Sequence, residues 1–199
     1  MNNEKIKQAI KTILEEIGEN INREGIKYTP ERVARLYSNL FYGYTKKLKV
    51  VNEEERNEKD FSYDIIPITV FNTDKQDMLI RKVSFISTCE HHLASITQGE
   101  CWVGIIPNDK LLGMNKIDKI VKYFAARLQL QERLTSQIAD WIDENIKPLG
   151  VIVIMKANHM CAELQGDKGE FITSAVRGIF LKHDPDKSPK EEFLKLINL

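Results

Sequence analysis

Residues 78–87 read MLIRKVSFIS, and their pattern decides the fold class. Leu79, Val83 and Phe85 fall on one face of an extended chain, together with Arg81, whereas Lys82 and Ser84 point to the other face. This alternation predicts a half-buried β-strand. Upstream of this stretch the apolar residues recur at helical spacing instead, so the change of period marks the start of a domain that contains strands.

Five further elements are predicted after this strand. In chain order they are a strand in ECWVGIIP (100–107), two helices, a well-buried strand in VIVIMKA (151–157) and a last strand in EFITSAVRGIFL (170–181). The helices are indicated by apolar residues at helical spacing, namely Ile117, Ile120, Val121, Phe124 and Leu128, and then Leu134, Ile138, Trp141 or Ile142, and Ile146. The order ββααββ predicts an α+β fold.

Two helices are predicted near the N-terminus. The first carries apolar residues at helical spacing up to Gly18, which stands where a C-terminal cap belongs. The second lies in TPERVARLYSNLF (29–41), where Thr29 is expected to cap the helix and Pro30 suits its first turn. A hairpin of two helices is too small to hold a core alone, so we expect it to pack on another surface.

Residues 45–63 are rich in charge and predict a solvated connector. The sequence therefore divides into a helical hairpin at 1–44, a charged connector at 45–63 and a catalytic domain at 64–199.

The composition argues against several classes of protein. The chain has 29 basic and 29 acidic residues, which does not favour a nucleic-acid or acidic-membrane binder. No apolar run reaches the roughly 18 residues that span a bilayer, and the mixed charge of the first helix does not fit a signal peptide. Three cysteines, an odd number, argue against a disulfide framework and fit a cytoplasmic protein.

Cysteine and histidine gather in two short segments. ISTCEHHLAS (86–95) holds Cys89 and His92 at C-x-x-H spacing, and ANHMCAEL holds His159 and Cys161 after the next buried strand. Taken singly, each of these residues is compatible with a core thiol or a hydrogen-bonded polar group. Taken together, three of the four histidines and two of the three cysteines predict a metal site, and thiolate with imidazole favours zinc.

The two adjacent histidines, His91 and His92, point apart on an extended segment, so only one of them is expected at the ion. Thiolates from Cys89 and Cys161 with one imidazole give three ligands and leave a position for water, as in catalytic zinc sites. The remaining histidines are candidates for proton transfer, because an imidazole group ordinarily gains and loses a proton near neutral pH. Cys101, in the middle of a predicted strand, is interpreted as core packing.

Five motifs in the chain resemble the GTP cyclohydrolase I family and follow the family's order. They are REGIKYTPERVARLY, STCEHH, QLQERLTSQI, NHMC and TSAVRGIF, and the likeness runs from about Ile6 to Leu181. The resemblance implies a tunnelling fold, in which an antiparallel four-stranded sheet carries two helices on one side. It also implies a homodecamer of two stacked rings, with the N-terminal helices at the ring contacts and the active sites between subunits.

The same resemblance implies a reaction and a ligand set. Cys89, His92 and Cys161 would hold Zn²⁺, and the activated water would attack C8 of GTP. The imidazole ring of the guanine opens, formate leaves, and ring closure gives 7,8-dihydroneopterin triphosphate, a pterin and folate precursor. His91 and His159 match the family's proton-transfer residues.

Gln131 and Glu132 match the family's guanine-recognition pair. A carboxylate can accept hydrogen bonds from N1–H and the 2-amino group of guanine, a pair of donors that adenine lacks. Without the resemblance, Glu132 near a helix start would be interpreted as a charge that complements the helix dipole.

Six positions correspond to those that contact phosphate in the family, and three of them are altered here. The six are occupied by Arg32, Arg35, Asn115, Lys116, Lys119 and Gln165. Arg32, Arg35 and Lys116 match the family's basic residues. Asn115 replaces a serine of the family, and both Lys119 and Gln165 replace an arginine. Arginine offers phosphate a planar fork, whereas lysine offers a point charge and glutamine no charge. Each lost charge-assisted hydrogen bond costs about 1.5–3 kcal/mol.

Three functions are open at this point. The leading one is a zinc-dependent GTP cyclohydrolase I. The second is a related hydrolase that acts on a differently phosphorylated or modified guanine nucleotide, consistent with the altered phosphate positions. The third is a catalytically silent zinc-binding scaffold, which would have no need of His91 and His159 and would close the zinc site with a fourth protein ligand.

Overall fold

The computed structural model describes residues 1–182 and 188–198. The helices are α1 (Asn3–Glu16), α2 (Thr29–Leu40), α3 (Met114–Ala125), α4 (Gln131–Ile146), α5 (Met160–Glu163) and α6 (Pro189–Ile197). The strands are β1 (Lys47–Asn52), β2 (Ile65–Asn72), β3 (Leu79–Cys89), β4 (Ser95–Ile106), β5 (Lys110–Leu112), β6 (Leu128–Gln129), β7 (Gly150–His159) and β8 (Glu170–Gly178). Residues 183–187 and 199 of the predicted domain 64–199 lie outside the described residues.

An antiparallel sheet in the order β3-β4-β7-β8 forms the centre of the fold, and β6 adds a short parallel pairing beside β3. The predicted α+β fold with ββααββ order is confirmed, since α3 and α4 lie between β4 and β7 along the chain. The alternation in β3 is also confirmed, because Val83 and Phe85 are buried while Lys82 is exposed. With β4 antiparallel to both neighbours, β3 and β7 run in the same direction and end at the same edge of the sheet.

The main core lies between this sheet and the helices α3 and α4. The buried residues at helical spacing are Ile117, Ile120, Val121 and Phe124 on α3, and Leu134, Ile138, Ile142 and Ile146 on α4. Ile142 rather than Trp141 takes the core position on α4. Leu128, predicted as helical, belongs to β6 because α3 ends at Ala125.

The opposite face of the sheet is partly covered by the C-terminal helix α6. Phe193 of this helix is fully buried and forms a second apolar cluster with Trp102, Ile152 and Phe180. A Cβ at position 104 would lie 2.5 Å from the Phe193 ring, so glycine is required there. Covering on both faces explains why β7 is apolar at nearly every position.

The predicted connector 45–63 is not a loop throughout, so this part of the prediction was wrong. It contains β1, which pairs in parallel with β2, and Val51 of β1 is buried. Asp60 is buried as well, where it accepts hydrogen bonds from Lys49 (2.7 Å) and from the backbone N–H of Asn57 (2.9 Å). The many charged residues of this segment obscured the alternating burial of β1, which is typical of a strand. The division into these three segments itself stays a prediction.

The N-terminal hairpin leaves apolar surface uncovered. Gly18 has φ +81° after the end of α1, as its predicted capping position requires. Thr29 does not cap α2, because Tyr28 is the capping residue and the helix begins at Thr29 itself. Ile13 and Ile17 of the hairpin are 55% and 71% exposed. Among the described residues, no helix is long and apolar enough to cross a membrane.

Candidate metal centre and active site

Cys89, His92 and Cys161 converge at one edge of the sheet. Cys89 is the last residue of β3 and His92 lies in the turn that follows it, whereas Cys161 lies in α5 directly after β7. Because β3 and β7 end at the same edge, residues far apart in the chain meet there. Their ligand atoms all lie within 4.8 Å of one another.

The three side chains fit a zinc ion in both distance and chemistry. The Sγ of Cys89 lies 3.9 Å from Nδ1 of His92. In a tetrahedral zinc site, with Zn–S near 2.3 Å and Zn–N near 2.0 Å, the ligand atoms lie about 3.6–3.8 Å apart. In the described part of the chain, no fourth His, Cys, Asp or Glu joins this group. Three protein ligands is the number that catalytic zinc sites usually have.

The thiols of Cys89 and Cys161 lie next to each other in the metal group, whereas the third cysteine, Cys101, lies elsewhere in the core. Burial and the neighbouring Cys89 together raise the pKa of Cys161. Two adjacent thiolates repel each other, and a cation between them would reverse this effect. Cys101 lies fully buried in the middle of β4, where burial raises its pKa, and it is not part of the group.

His159 is oriented by a buried glutamine. Its Nε2 lies 2.9 Å from Oε1 of Gln131. The amide nitrogen of Gln131 donates to the backbone oxygens of Met155 (3.3 Å) and Phe171 (2.9 Å), so its oxygen must face the imidazole. The neutral ring therefore carries its proton on Nε2 and has Nδ1 as its proton-accepting nitrogen. Burial lowers the pKa of His159, and the carboxylate of Glu132 opposes this shift.

Gln131 and Glu132 face different environments although they are adjacent. Gln131 is 2% exposed, and its amide nitrogen also donates to Oγ1 of Thr173 at 3.2 Å. Glu132 is exposed in the first turn of α4. The carboxylate of Glu132 is thus open to a substrate, whereas the amide of Gln131 is engaged within the protein. The recognition role of the pair stays a prediction.

His91 and His92 lie in the turn after β3 and not on an extended segment, so the predicted geometry does not apply. Their rings are 6.2 Å apart with planes inclined by 88°, and only His92 joins the cysteine pair. The Nε2 of His91 lies 4.0 Å from Oε1 of Glu90, and its side chain is largely exposed. His91 is therefore open to solvent beside the metal group.

Glu90 forms an ion pair that sequence reasoning did not find. Its carboxylate accepts a hydrogen bond from Nη2 of Arg133 on α4, which holds the pKa of Glu90 below its usual value. Both partners lie in motifs that the sequence singles out, CEHH and Q-E-R, but their contact requires the fold. The only signal in the sequence was that each residue lies in a motif of the family resemblance.

The predicted phosphate contacts on α3 lie far from the metal group within one chain. They are Asn115, Lys116 and Lys119, all in the first two turns of α3. Asp118 in the same turns pairs with Arg81 at 2.8 Å, near the start of β3. Cys89 lies at the other end of β3, about 26 Å away at 3.3 Å per residue. The structure of a single chain therefore does not bring these residues to the metal group.

The remaining predicted contacts are divided between two places. Arg32 and Arg35 are exposed on α2. Gln165 follows α5 and donates from Nε2 to the backbone oxygen of Cys161 at 3.0 Å. Of the six phosphate candidates, Gln165 is thus bonded directly to a residue of the metal group.

The fold is of the α+β class, and its sheet edge carries a Cys-His-Cys group with two further histidines beside it. These are features of a metal-dependent hydrolase. The family model "GTP cyclohydrolase I" matches residues 6–198. A protein named GTP cyclohydrolase 1 from Campylobacter jejuni (strain RM1221) is 43% identical over 198 residues, covering 98% of this chain and 95% of that protein. Proteins of the same name from Aquifex aeolicus and Clostridium kluyveri are each 39% identical, covering 98% of this chain and 96% and 100% of those proteins. The chain belongs to the GTP cyclohydrolase I family, a family of hydrolases.

A solved structure, the archaeosine synthase QueF-Like in the apo form, aligns with 51% of this chain and 93% of that chain. The TM-score is 0.43 at 21% identity, which is too distant to support an argument about this protein.

Proposed function

We propose that this protein is a zinc-dependent GTP cyclohydrolase I. It opens the imidazole ring of the guanine of GTP by hydrolysis, releases formate and yields 7,8-dihydroneopterin triphosphate. The observation that carries the proposal is the convergence of Cys89, His92 and Cys161 at the common edge of β3 and β7. Membership of the family supports the choice of substrate and reaction.

The proposed ligands of the zinc ion are the Sγ atoms of the two cysteines and Nδ1 of His92, which faces Cys89. Zinc held in this way would supply Lewis-acid chemistry and would activate a water molecule near neutral pH. His159 can accept a proton at Nδ1 and return it, because Gln131 keeps the other proton on Nε2. His91, exposed on the other side of the turn, is the second proton-transfer group.

Recognition of the guanine is assigned mainly to Glu132. Its exposed carboxylate can accept hydrogen bonds from N1–H and the 2-amino group of the base. Gln131 contributes through His159 rather than through its own side chain, since its amide is bonded within the protein at both ends.

The triphosphate is assigned to Lys116 and Lys119 with Asn115, supported by Arg32 and Arg35. The first three lie far from the metal group of their own chain, so a second copy must supply them. The protein is therefore a homo-oligomer with active sites between subunits, and family resemblance makes it a decamer. A reducing cytoplasm would keep both cysteine ligands free of disulfides.

The test is release of formate and of a pterin product from GTP by the zinc-loaded protein. Cys161→Ala is expected to abolish both, because only two ligands remain. Cys101→Ala is the matched control, since it removes a thiol outside the metal group and should retain activity. Absence of GTP turnover by fully zinc-loaded oligomer would refute the proposal.

A second candidate is a hydrolase for a differently phosphorylated or modified guanine nucleotide. It is favoured by Gln165, which replaces an arginine of the family and uses its side chain to bond Cys161. Comparison of kcat/KM for GTP, GDP, GMP and guanosine separates the two candidates. If GTP is the substrate, Gln165→Arg should lower its KM by roughly tenfold or more, the value of one charge-assisted hydrogen bond. An unchanged KM would show that this position does not contact phosphate.

A further inference from the structure

We propose that the Glu90–Arg133 ion pair is a positioning device that holds the turn at residues 89–93 in its metal-binding shape. The inference concerns the site of the proposed zinc ion and rests on that part of the proposed function. Neither residue is itself a ligand.

The turn that carries the ligands is tight and has few internal bonds. The backbone N–H of Cys89 donates to Ala94 (2.8 Å), and that of Leu93 donates to Cys89 (3.0 Å). Leu93 has φ +54°, the left-handed region that a residue with a branched side chain rarely adopts. A strained backbone of this kind persists only where its surroundings hold it. The turn therefore needs support from outside itself.

That support comes from β6 and α4. The backbone N–H of Glu90 donates to the backbone oxygen of Gln129 at 3.1 Å. Arg133 completes the attachment: Nη2 donates to the Glu90 carboxylate and, at 3.1 Å, to the backbone oxygen of Leu128. Nε of the same guanidinium donates to Oε1 of Gln129 at 3.1 Å. One arginine thus joins the ligand turn to the strand beside it.

Gln129, which accepts the hydrogen bond from Nε of Arg133, is itself held by the core helices. Gln129 is buried, and its Nε2 donates to the backbone oxygen of Phe124 and to Oε1 of Gln137, both at 2.9 Å. Phe124 belongs to α3 and Gln137 to α4, so the attachment of the turn leads into both core helices. The position of Cys89 relative to His92 is therefore set by the helical layer.

The pair is poorly placed to act as a general stabiliser. Its side chains are 28% (Glu90) and 39% (Arg133) exposed, and ion pairs with this much solvent contribute little to the stability of a fold. What the pair can do is select one orientation of the turn. Groups that orient metal ligands typically change metal affinity by 10- to 100-fold when they are removed.

The Arg81–Asp118 pair offers a matched control. Its side chains are 43% and 24% exposed, and it joins β3 to the core helix α3. It differs in lying near the start of β3, away from the metal group. Arg81→Met therefore removes an equivalent ion pair without touching the ligand turn.

The experiment measures the dissociation constant for Zn²⁺ on the full-length protein, by competition with a chromophoric chelator and without nucleotide. Arg133→Met and Glu90→Gln are each expected to weaken Zn²⁺ binding about 10- to 100-fold. The double variant should bind Zn²⁺ no more weakly than the single variant with the lower affinity, because both substitutions remove the same ion pair. Arg133→Lys should recover part of the affinity, and Arg81→Met should bind Zn²⁺ as the unmodified protein does.

Several results would overturn the inference. Unchanged Zn²⁺ affinity in Glu90→Gln would do so, as would an equal loss in Arg81→Met, and additive losses in the double variant would show that the two residues act separately. If Arg133→Met does not fold, Glu90→Gln decides, since it keeps size and shape. Failure of the protein to turn over GTP while it binds Zn²⁺ tightly would refute the proposed reaction but leave this inference standing.

Discussion

At the scale of single residues, the first turn of α4 directs three consecutive side chains to three tasks. Successive residues of a helix point about 100° apart, so neighbours in sequence face different surroundings. Gln131 points inward and bonds His159, while Arg133 reaches sideways to Glu90. Glu132, between them, faces solvent. The one residue of the three that is free of these attachments is the one assigned to guanine.

Glu132→Gln tests that assignment. The substitution keeps the shape but replaces a charged acceptor, so kcat/KM for GTP should fall by roughly 10- to 100-fold, or 1.5–3 kcal/mol. Zn²⁺ affinity should not change. Glu144→Gln, an exposed glutamate near the other end of α4, should leave kcat/KM as it is. Equal kinetics in the two variants would remove Glu132 from the substrate site.

At the scale of elements, the N-terminal hairpin approaches the core closely at Gly43. Gly43 donates its N–H to the backbone oxygen of Ala126 (3.1 Å), and its own oxygen accepts from Nε of Arg127 (3.1 Å). A Cβ at position 43 would lie 2.5 Å from the backbone oxygen of Tyr123 and 2.7 Å from that of Ala126. The close approach of the two backbones therefore requires glycine at this position.

Gly43→Ala is expected to loosen the attachment of the hairpin. Forcing a methyl group against two backbone oxygens should lower the free energy of unfolding by about 1–3 kcal/mol, measured by chemical denaturation. Amide hydrogen exchange should increase in the hairpin more than in β4 or β7. Gly169→Ala is the control, because a Cβ there meets no atom within 4 Å. Equal stability of the two variants would contradict the proposed attachment.

At the scale of the whole molecule, one chain carries the parts of the proposed site at separate ends. The metal group lies where β3 and β7 end, and Lys116 lies at the opposite end of the α3–β3 pair. Apolar side chains are also exposed on the N-terminal hairpin, including Ile17. Contacts between copies would cover such surface and bring the two halves of a site together.

A mixing experiment tests whether sites are shared between copies. As pure oligomers, Cys161→Ala should be inactive, and Lys116→Ala should have kcat/KM lowered by roughly 10- to 100-fold, so both show little activity at low GTP. If every site joins a metal group from one copy to a phosphate contact from another, dissociating and reassembling an equal mixture should restore about a quarter of the activity, since a quarter of random pairings are intact. Separately reassembled variants are the control. No recovery from well-mixed oligomers would place both residues in one subunit's site.

Much of the fold could be predicted because the core repeats simple periods. Ile117, Ile120 and Leu134 are buried on helices as their spacing indicates, and Val83 is buried on a strand. The strand β1 was missed because a charged run masked its alternation. The cap at Thr29 was placed one residue late, since several polar residues can start a helix and only the backbone dihedrals of Tyr28 decide.

The sequence by itself determined the α+β class, the family and the cysteines and histidines of the metal group, because these depend on periodicity and on residue type. The tertiary structure decided which side chains are free to act. It brought Cys161 to Cys89 through the parallel direction of β3 and β7, bonded Gln131 to His159, and paired Glu90 with Arg133. Contacts between distant residues arise from strand order and helix packing, which local sequence patterns do not encode.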